Sequence, residues 1–411
     1  MMVELRINET RLWDSLMDMG RIGATDKGGV CRLALTDLDR QARDLFISWC
    51  LDAGCNVRID RLGNIFARRP GTDPKRAPVM TGSHLDTQPL GGKFDGIYGV
   101  LAGLEVVRTL NENGVQTLAP IDVAVWTDEE GVRYNGAMAS KSFAGLCSPE
   151  AVLEQVDVEG RIFGEALNEI GYAGDQSVGG FAVDSFFEVH IEQGPILEQE
   201  GKTIGVVLGA QAQRCFQVTV TGEEGHAGTL PMTMRRDALL GAARMVDAVN
   251  AVAFRYEPAP VITVGFMQIR PNSRNTIPGQ VIFTIDSRDP RDDVLTRIGE
   301  DMREACEGIA SAAGLKVAYE QTSHRKTVTF DSGCVAIVRG AAMAIAAGHR
   351  DMYSAAGHDA CNLSFSVPTA MVFVPCEKGI SHNEAENARP KDLCAGCDVL
   401  LQAILARAGV D

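Results

Sequence analysis

The sequence predicts an α/β protein: a mixed-sheet domain with helices on both faces, interrupted by a second, ferredoxin-like α+β domain. Three observations carry this. Four apolar, β-prone runs, APVMTGSHLD, IDVAVWTDEE, FFEVHIEQG and TAMVFVPCEKGISH, each end directly in a polar loop, as buried strands do. Between the first two lies YGVLAGLEVVRTLNENG, where Val100, Leu101, Leu104, Val107 and Leu110 mark an amphipathic helix. Strand, helix, strand predicts a right-handed parallel crossover. From about Gln213 the rhythm becomes strand, helix, strand, strand, helix, strand, which is the order of a ferredoxin-like unit.

Taken in order, the opening MMVELRINETRLWDSLMDMG is charged throughout and lacks the apolar core of a signal peptide. It predicts an amphipathic helix capped by Asn8. The first domain is expected over residues 1–212 and 331–411, because 411 residues exceed one ordinary core. The insertion, 213–330, reads as CFQVTVTG, MRRDALLGAARMVDAVNAV, VITVGFMQI, QVIFTIDSR, DDVLTRIGEDMREACEGIASAAG and KVAYEQT. The first domain then resumes with the helix CVAIVRGAAMAIAAG and closes on the helix within PKDLCAGCDVLLQAILARAG. No internal repeat or long linker interrupts this plan.

Composition narrows the function classes. Hydrophobic residues make up 45% and charged residues 23%, the proportions of a globular chain. A net charge of -15 repels phosphate backbones and anionic lipid, so neither nucleic acid nor a membrane is an expected partner. No run approaches the ~18 apolar residues of a membrane span. The eleven cysteines are scattered, and only Cys394 and Cys397 are spaced C-x-x-C. They read as small buried apolar residues of a cytoplasmic protein.

In open α/β sheets the ligand site lies beyond the carboxyl ends of the strands, so the four polar loops are expected to converge. Together they deliver His84, Asp86 and Asp95, then Glu129 and Glu130, then His190, and last His382. Imidazoles and carboxylates are borderline-to-hard ligands suited to Zn²⁺, Mn²⁺, Co²⁺ or Ni²⁺. Five such ligands serve two ions if one carboxylate bridges them, and the residues alone do not say which one. His84 and Asp86, two apart on an extended segment, point the same way, so Asp86 is expected to receive the second ring N–H of a ligating His84. Of the neighbours Glu129 and Glu130, one would bind metal while the other takes a proton from the attacking water. Glycines 91, 92 and 96 would let the loop bend until Asp95 returns to His84.

The motifs GSHLDTQPLGGKFDG, TDEEGVRYNGAMASKSFAG, FEVHIEQGPILE, GHAGTLPM, PNSRNTIPG and GISHNEAE run in this order along nearly the whole chain. They resemble the hydantoinase/carbamoylase family of amidases within the M20 metallopeptidase-like clan. The resemblance implies a homodimer, paired through the inserted domain, that holds two divalent ions per subunit. It makes Asp95 the bridging ligand, His84 and His190 its partners on one ion, Glu130 and His382 those on the other, and Glu129 the general base. It further assigns His226 to the oxyanion of the tetrahedral intermediate, Asn275 and Arg288 to the substrate carboxylate, and Gln193 to the carbamoyl end. His358 and Asp359 would support the ligands without touching the ions. The implied reaction is cleavage of the carbamoyl C–N bond of N-carbamoyl-L-amino acids. The rivals are a β-ureidopropionase, an allantoate amidohydrolase and, more remotely, a non-catalytic binding protein on the same fold. Two departures from the family pattern, Ala355 and Leu230, leave every implied ligand in place.

Overall fold

The structure, a computed structural model, describes residues 5–345 and 347–411. The chain divides into two compact units, one running to Gly209 and resuming at Thr329, the other spanning Ala210–Val328.

The first unit is built on a nine-stranded mixed sheet. Its centre is four adjacent parallel strands, in the order Ile121–Trp126, Val79–His84, Ser185–Ile191, Thr369–Val374. These are the four apolar runs singled out in the sequence. Every residue in all four is buried, so both faces of the sheet are covered, as a parallel sheet requires. Antiparallel strands flank them, Ile65–Arg69 on one side and Ile204–Ala210 on the other. From Val79–His84 the chain crosses through the helix Ile97–Glu112 to the neighbour on one side, and later enters Ser185–Ile191 on the other. That reversal is the switch point at which such sheets open a crevice.

The helix Ile97–Glu112 differs from expectation in one respect. An amphipathic helix has a wet face, yet Ile97 through Val107 are buried at every position. The reason is packing on several sides: the sheet lies against it, and so do the terminal helix Pro390–Ala408 and the N-terminal helix Glu9–Met19. Asn8 caps that N-terminal helix by accepting the Arg11 N–H, as its sequence predicts. Asp331 likewise caps Ser332–Ala344, a helix that follows the return of the chain to the first unit. Among the described residues no helix is long and apolar enough to cross a membrane.

The second unit is a four-stranded antiparallel sheet in the order Lys316–Arg325, Ala212–Thr221, Gln280–Asp289, Val261–Arg270. With helices Ala238–Ala253 and Asp292–Ala312, its chain order is β-α-β-β-α-β. Along Gln280–Asp289 residues alternate between half-buried and buried, the period of a strand with one face on a core. That core includes Phe216, Val218, Phe283 and Ile285 from the strands and Met245, Val249, Ile298 and Met302 from the helices.

Candidate metal centre

The four parallel strands end level with one another, and their loops bring the polar residues together at one edge of the sheet. His84 and His190 are the last or next-to-last residues of adjacent strands, with ring centroids 6.2 Å apart. Asp95 sits between them, its Oδ1 3.1 Å from His190 Nε2 and 3.8 Å from His84 Nε2. Its other oxygen, Oδ2, lies 3.4 Å from His382 Nε2, which is itself 3.4 Å from Glu130 Oε2. Among the described residues three groups could hold a cation: Glu188 with His190 and His358, and two built around Asp95, namely His84 with Asp95 and His190, and Asp95 with Glu130 and His382. Asp95 is common to these last two. It reaches this place because the chain turns sharply at Gly96, with φ at +72° and a backbone so close to the His84 ring that any Cβ would overlap it.

The donor set suits a divalent cation, and ring orientation is the clearest sign. His84 Nδ1 lies 2.9 Å from the Asp86 carbonyl oxygen, and His190 Nδ1 lies 2.9 Å from that of Ile191. A carbonyl only accepts, so Nδ1 carries the hydrogen on both rings and each presents Nε2 toward Asp95. Electrostatics agree. Burial disfavours a charged His190, but the Asp95 carboxylate more than reverses this and pushes its pKa up to about 9. Glu129 is driven well above the usual carboxylate range by burial first, and then by the charges of Asp359, Glu130, Asp86 and Asp95. A cluster this acidic needs positive charge in its middle.

Asp86 corrects the expected support of His84. The ring N–H goes to its backbone carbonyl, and its carboxylate Oδ1 stands 3.8 Å from the ring nitrogen. The carboxylate instead accepts the backbone N–H groups of Glu129, at 3.3 Å, and Glu130, at 3.1 Å. It therefore ties the turn after Ile121–Trp126 to the His84 loop. Within that turn the two glutamates part: Glu130 faces Asp95 and His382, while Glu129 Oε2 lies 3.6 Å from His84 Nε2. Gln193, at φ +57°, donates from Nε2 to Asp95 Oδ2 at 2.7 Å. Its amide oxygen is buried without a hydrogen-bond partner among the described residues. His358 packs edge-on against His190, 4.7 Å between centroids, and bonds Ser354 Oγ at 3.0 Å. Burial, and then the charge of His190, hold its pKa well below the ordinary imidazole value. Asp359 is buried beside it, and burial pushes its carboxyl up to about 8.

Three residues escaped the sequence reading. Glu188 is buried, accepts from Ser83 Oγ at 2.7 Å and from the Ala360 N–H at 3.0 Å, and shares a strand face with His190. The i, i+2 spacing applied to His84 and Asp86 would have found it. Ser381 and Glu386 flank His382 and bond the Asp95 loop, contacts between chain segments 286 to 292 residues apart that no local pattern announces.

In the second unit, His226 pairs with Thr276 in a short ribbon, and Ala227 N–H bonds the Asn275 carbonyl at 2.9 Å. His226 and Asn275 are thus neighbours. Arg288 lies elsewhere: from Gln280 to Arg288 the strand extends about 26 Å at ~3.3 Å per residue, and Asn275 precedes its start. Within one chain, then, Arg288 stands near one end of a ten-residue strand and Asn275 lies before the other. At its own end Arg288 is held by Asp286, through Nε at 3.1 Å and a terminal nitrogen at 2.9 Å.

Comparison with known proteins gives a consistent picture. Residues 80–406 match the model of peptidase family M20/M25/M40. The chain is 47% identical over 410 residues to an N-carbamoyl-L-amino-acid amidohydrolase of Rhizobium meliloti, covering 98% of each. It is 36% identical over 407 residues to the N-carbamoyl-L-amino acid amidohydrolase of Geobacillus stearothermophilus, covering 97% of this chain and 98% of that one. Among solved structures, a hydantoinase/carbamoylase family amidase from Burkholderia multivorans superposes with a TM-score of 0.95 at 54% identity, over 99% of both chains.

Proposed function

We propose the reaction from one premise: the chain belongs to peptidase family M20/M25/M40, within its hydantoinase/carbamoylase amidases. It is a metal-dependent amidohydrolase that cleaves the carbamoyl C–N bond of N-carbamoyl-L-amino acids, releasing the amino acid, carbon dioxide and ammonia. The observation that carries this is Asp95 shared between two ligand triads, with Glu129 beside them and in neither.

Two divalent ions, Zn, Mn, Co or Ni, held by His84, His190 and Asp95 and by Asp95, Glu130 and His382, would polarise the carbamoyl carbonyl and make water more acidic. Glu129 takes the proton of the attacking water and returns it to the leaving amine. The buried, unpartnered amide oxygen of Gln193 suits a carbamoyl N–H donor. Arg288 grips the substrate carboxylate in the two-pronged manner open to a guanidinium, in a plane held by Asp286. His226 donates to the oxygen on which negative charge develops. Carboxylate, carbamoyl group and side chain then fix three points on the substrate, which selects the L-enantiomer.

A homodimer formed through the inserted unit reconciles these roles. The ends of an N-carbamoyl amino acid are far closer together than the two ends of the Gln280–Asp289 strand. His226 and Asn275 of one chain would therefore serve the site in which the other chain's Arg288 acts. The edge strand Val261–Arg270 exposes Val261, Phe266 and Met267, apolar surface fit for pairing. The cysteines are scattered along the chain with a single C-x-x-C, which suits the cytoplasm, where we place the protein.

Two experiments test this reading. Ammonia release should be measured over N-carbamoyl L- and D-amino acids, N-carbamoyl-β-alanine, allantoate and N-acetyl amino acids. N-carbamoyl-L-amino acids should lead, and Arg288→Ala should lower kcat/KM for them about tenfold or more, the loss expected when a hydrogen bond to a charged group is removed. Preference for allantoate or N-acetyl substrates would move the chain elsewhere in the family. The dimer is tested by mixing Glu129→Gln with His226→Ala subunits, each inactive alone. Random reassociation should restore about a quarter of wild-type activity if His226 works across the interface; no recovery would return His226 to its own chain's site.

A further inference from the structure

We infer that Glu386 is a positioning residue that sets the place of Asp95, and through it the affinity for both ions; this rests on the di-metal reading above. Asp95 has a demanding position, since its two oxygens face different triads. The loop that carries it is rich in glycine, and its β-bridge to Val30, at Gly91, lies four residues before Asp95. Phe94 and Asp95 lead directly into the helix Ile97–Glu112, whose cap residue, Gly96, has no side chain with which to accept the leading N–H groups.

Those N–H groups find the carbonyls of Phe94, Asp95 and Gly96, whereas Glu386, 292 residues beyond Phe94, meets the two N–H groups that precede the cap. Its Oε1 takes the backbone N–H of Phe94 at 3.0 Å and of Asp95 at 3.2 Å. Its Oε2 lies 3.0 Å from Ser381 Oγ, which in turn lies 2.9 Å from Asp95 Oδ2. One buried side chain thus holds the backbone of the shared ligand, and Ser381, with a single O–H to give, stands between it and Asp95 Oδ2. A negative charge on Glu386, at the head of a helix, is favourable in itself.

The surroundings are shaped for this contact. Gly92 approaches so closely that a Cβ there would overlap the Glu386 carboxylate. On the other loop, Asn383 folds the chain back by accepting the Ala385 N–H on its side chain and the Glu386 N–H on its carbonyl, each at 2.9 Å. A bond from Glu377 N–H to the Asn387 carbonyl, 2.7 Å, closes the base of that loop. Glu386 therefore couples the loop of His382 to the loop of Asp95, so the two triads are set together.

The test reads metal binding. Mn²⁺ or Zn²⁺ affinity and stoichiometry are measured by chelator competition on the full-length protein, wild type first. Glu386→Ala should fold, by circular dichroism and the Tm of the metal-free protein, yet bind about 10–100-fold more weakly, while Glu386→Gln, which keeps an acceptor for the two N–H groups, should stay within about threefold of wild type. A folded alanine variant with wild-type affinity overturns the proposal, as does a glutamine variant that loses as much as alanine. Should the alanine variant not fold, Glu386→Asp, whose oxygens fall one methylene short, takes its place: a tenfold loss supports the role and an unchanged affinity refutes it. If the wild-type chain itself takes up no ion, the di-metal reading fails and this inference falls with it; if the wild type binds and the variants match it, only the role of Glu386 is lost.

Discussion

Glu129→Gln should lower kcat by about 10²–10⁴, the range for removing a general acid–base, while two ions per chain remain bound. The expectation rests on geometry. Glu129 belongs to neither triad, yet its Oε2 is 3.6 Å from His84 Nε2, at the edge of the space the triads enclose. Its backbone N–H is held by Asp86, so the glutamine amide would sit where the carboxylate does. Burial and the neighbouring carboxylates raise its proton affinity, the condition a base needs if it is to keep a proton long enough to deliver it. Bound cations would draw that affinity back toward neutrality. Elemental analysis and steady-state kinetics on the same preparation decide the matter: a variant that has lost an ion but keeps its activity per ion would exchange the roles of Glu129 and Glu130.

Asp95→Ala should remove both ions and with them all measurable turnover, whereas His382→Ala should weaken one site and leave the other. The difference follows from membership of the triads, since Asp95 belongs to both and His382 to one. Position sharpens it: Asp95 is buried, while the His382 side chain is 51% exposed and its loss leaves a gap that water can fill. In the wild-type protein, chelation should abolish ammonia release, and Mn, Co, Ni or Zn should restore it. Full activity in rigorously metal-free protein would falsify the metal reading, and an Asp95→Ala protein that still binds one ion tightly would show that some other carboxylate bridges.

Much of this architecture is legible in the chain because its signals are local. The run VMTGSH is apolar enough to be a buried strand and ends in its ligand, and the same holds at His190. A parallel arrangement then brings the strand ends together whatever the details of the loops. Burial of the helix Ile97–Glu112 on every side was not legible, because three layers of structure cover it and their arrangement is nonlocal. Nor was the partner of His84, since a bond to a backbone carbonyl leaves no mark in residue identity. The separation of Asn275 from Arg288 was not legible either, because it is set by the ten-residue strand Gln280–Asp289, which carries Arg288 away from the turn that holds Asn275.

What the sequence by itself determined is the group of polar residues carried at or beyond the strand ends, His84, Asp86, Asp95, Glu129, Glu130, His190 and His382, because residue chemistry and hydrophobic pattern are local properties. Only the tertiary structure decided which carboxylate is shared, which glutamate stands outside the triads, and that Glu386 reaches across to hold the Asp95 loop. Those outcomes depend on the direction in which each side chain leaves its loop, and that is settled by backbone hydrogen bonds and close contacts between segments hundreds of residues apart.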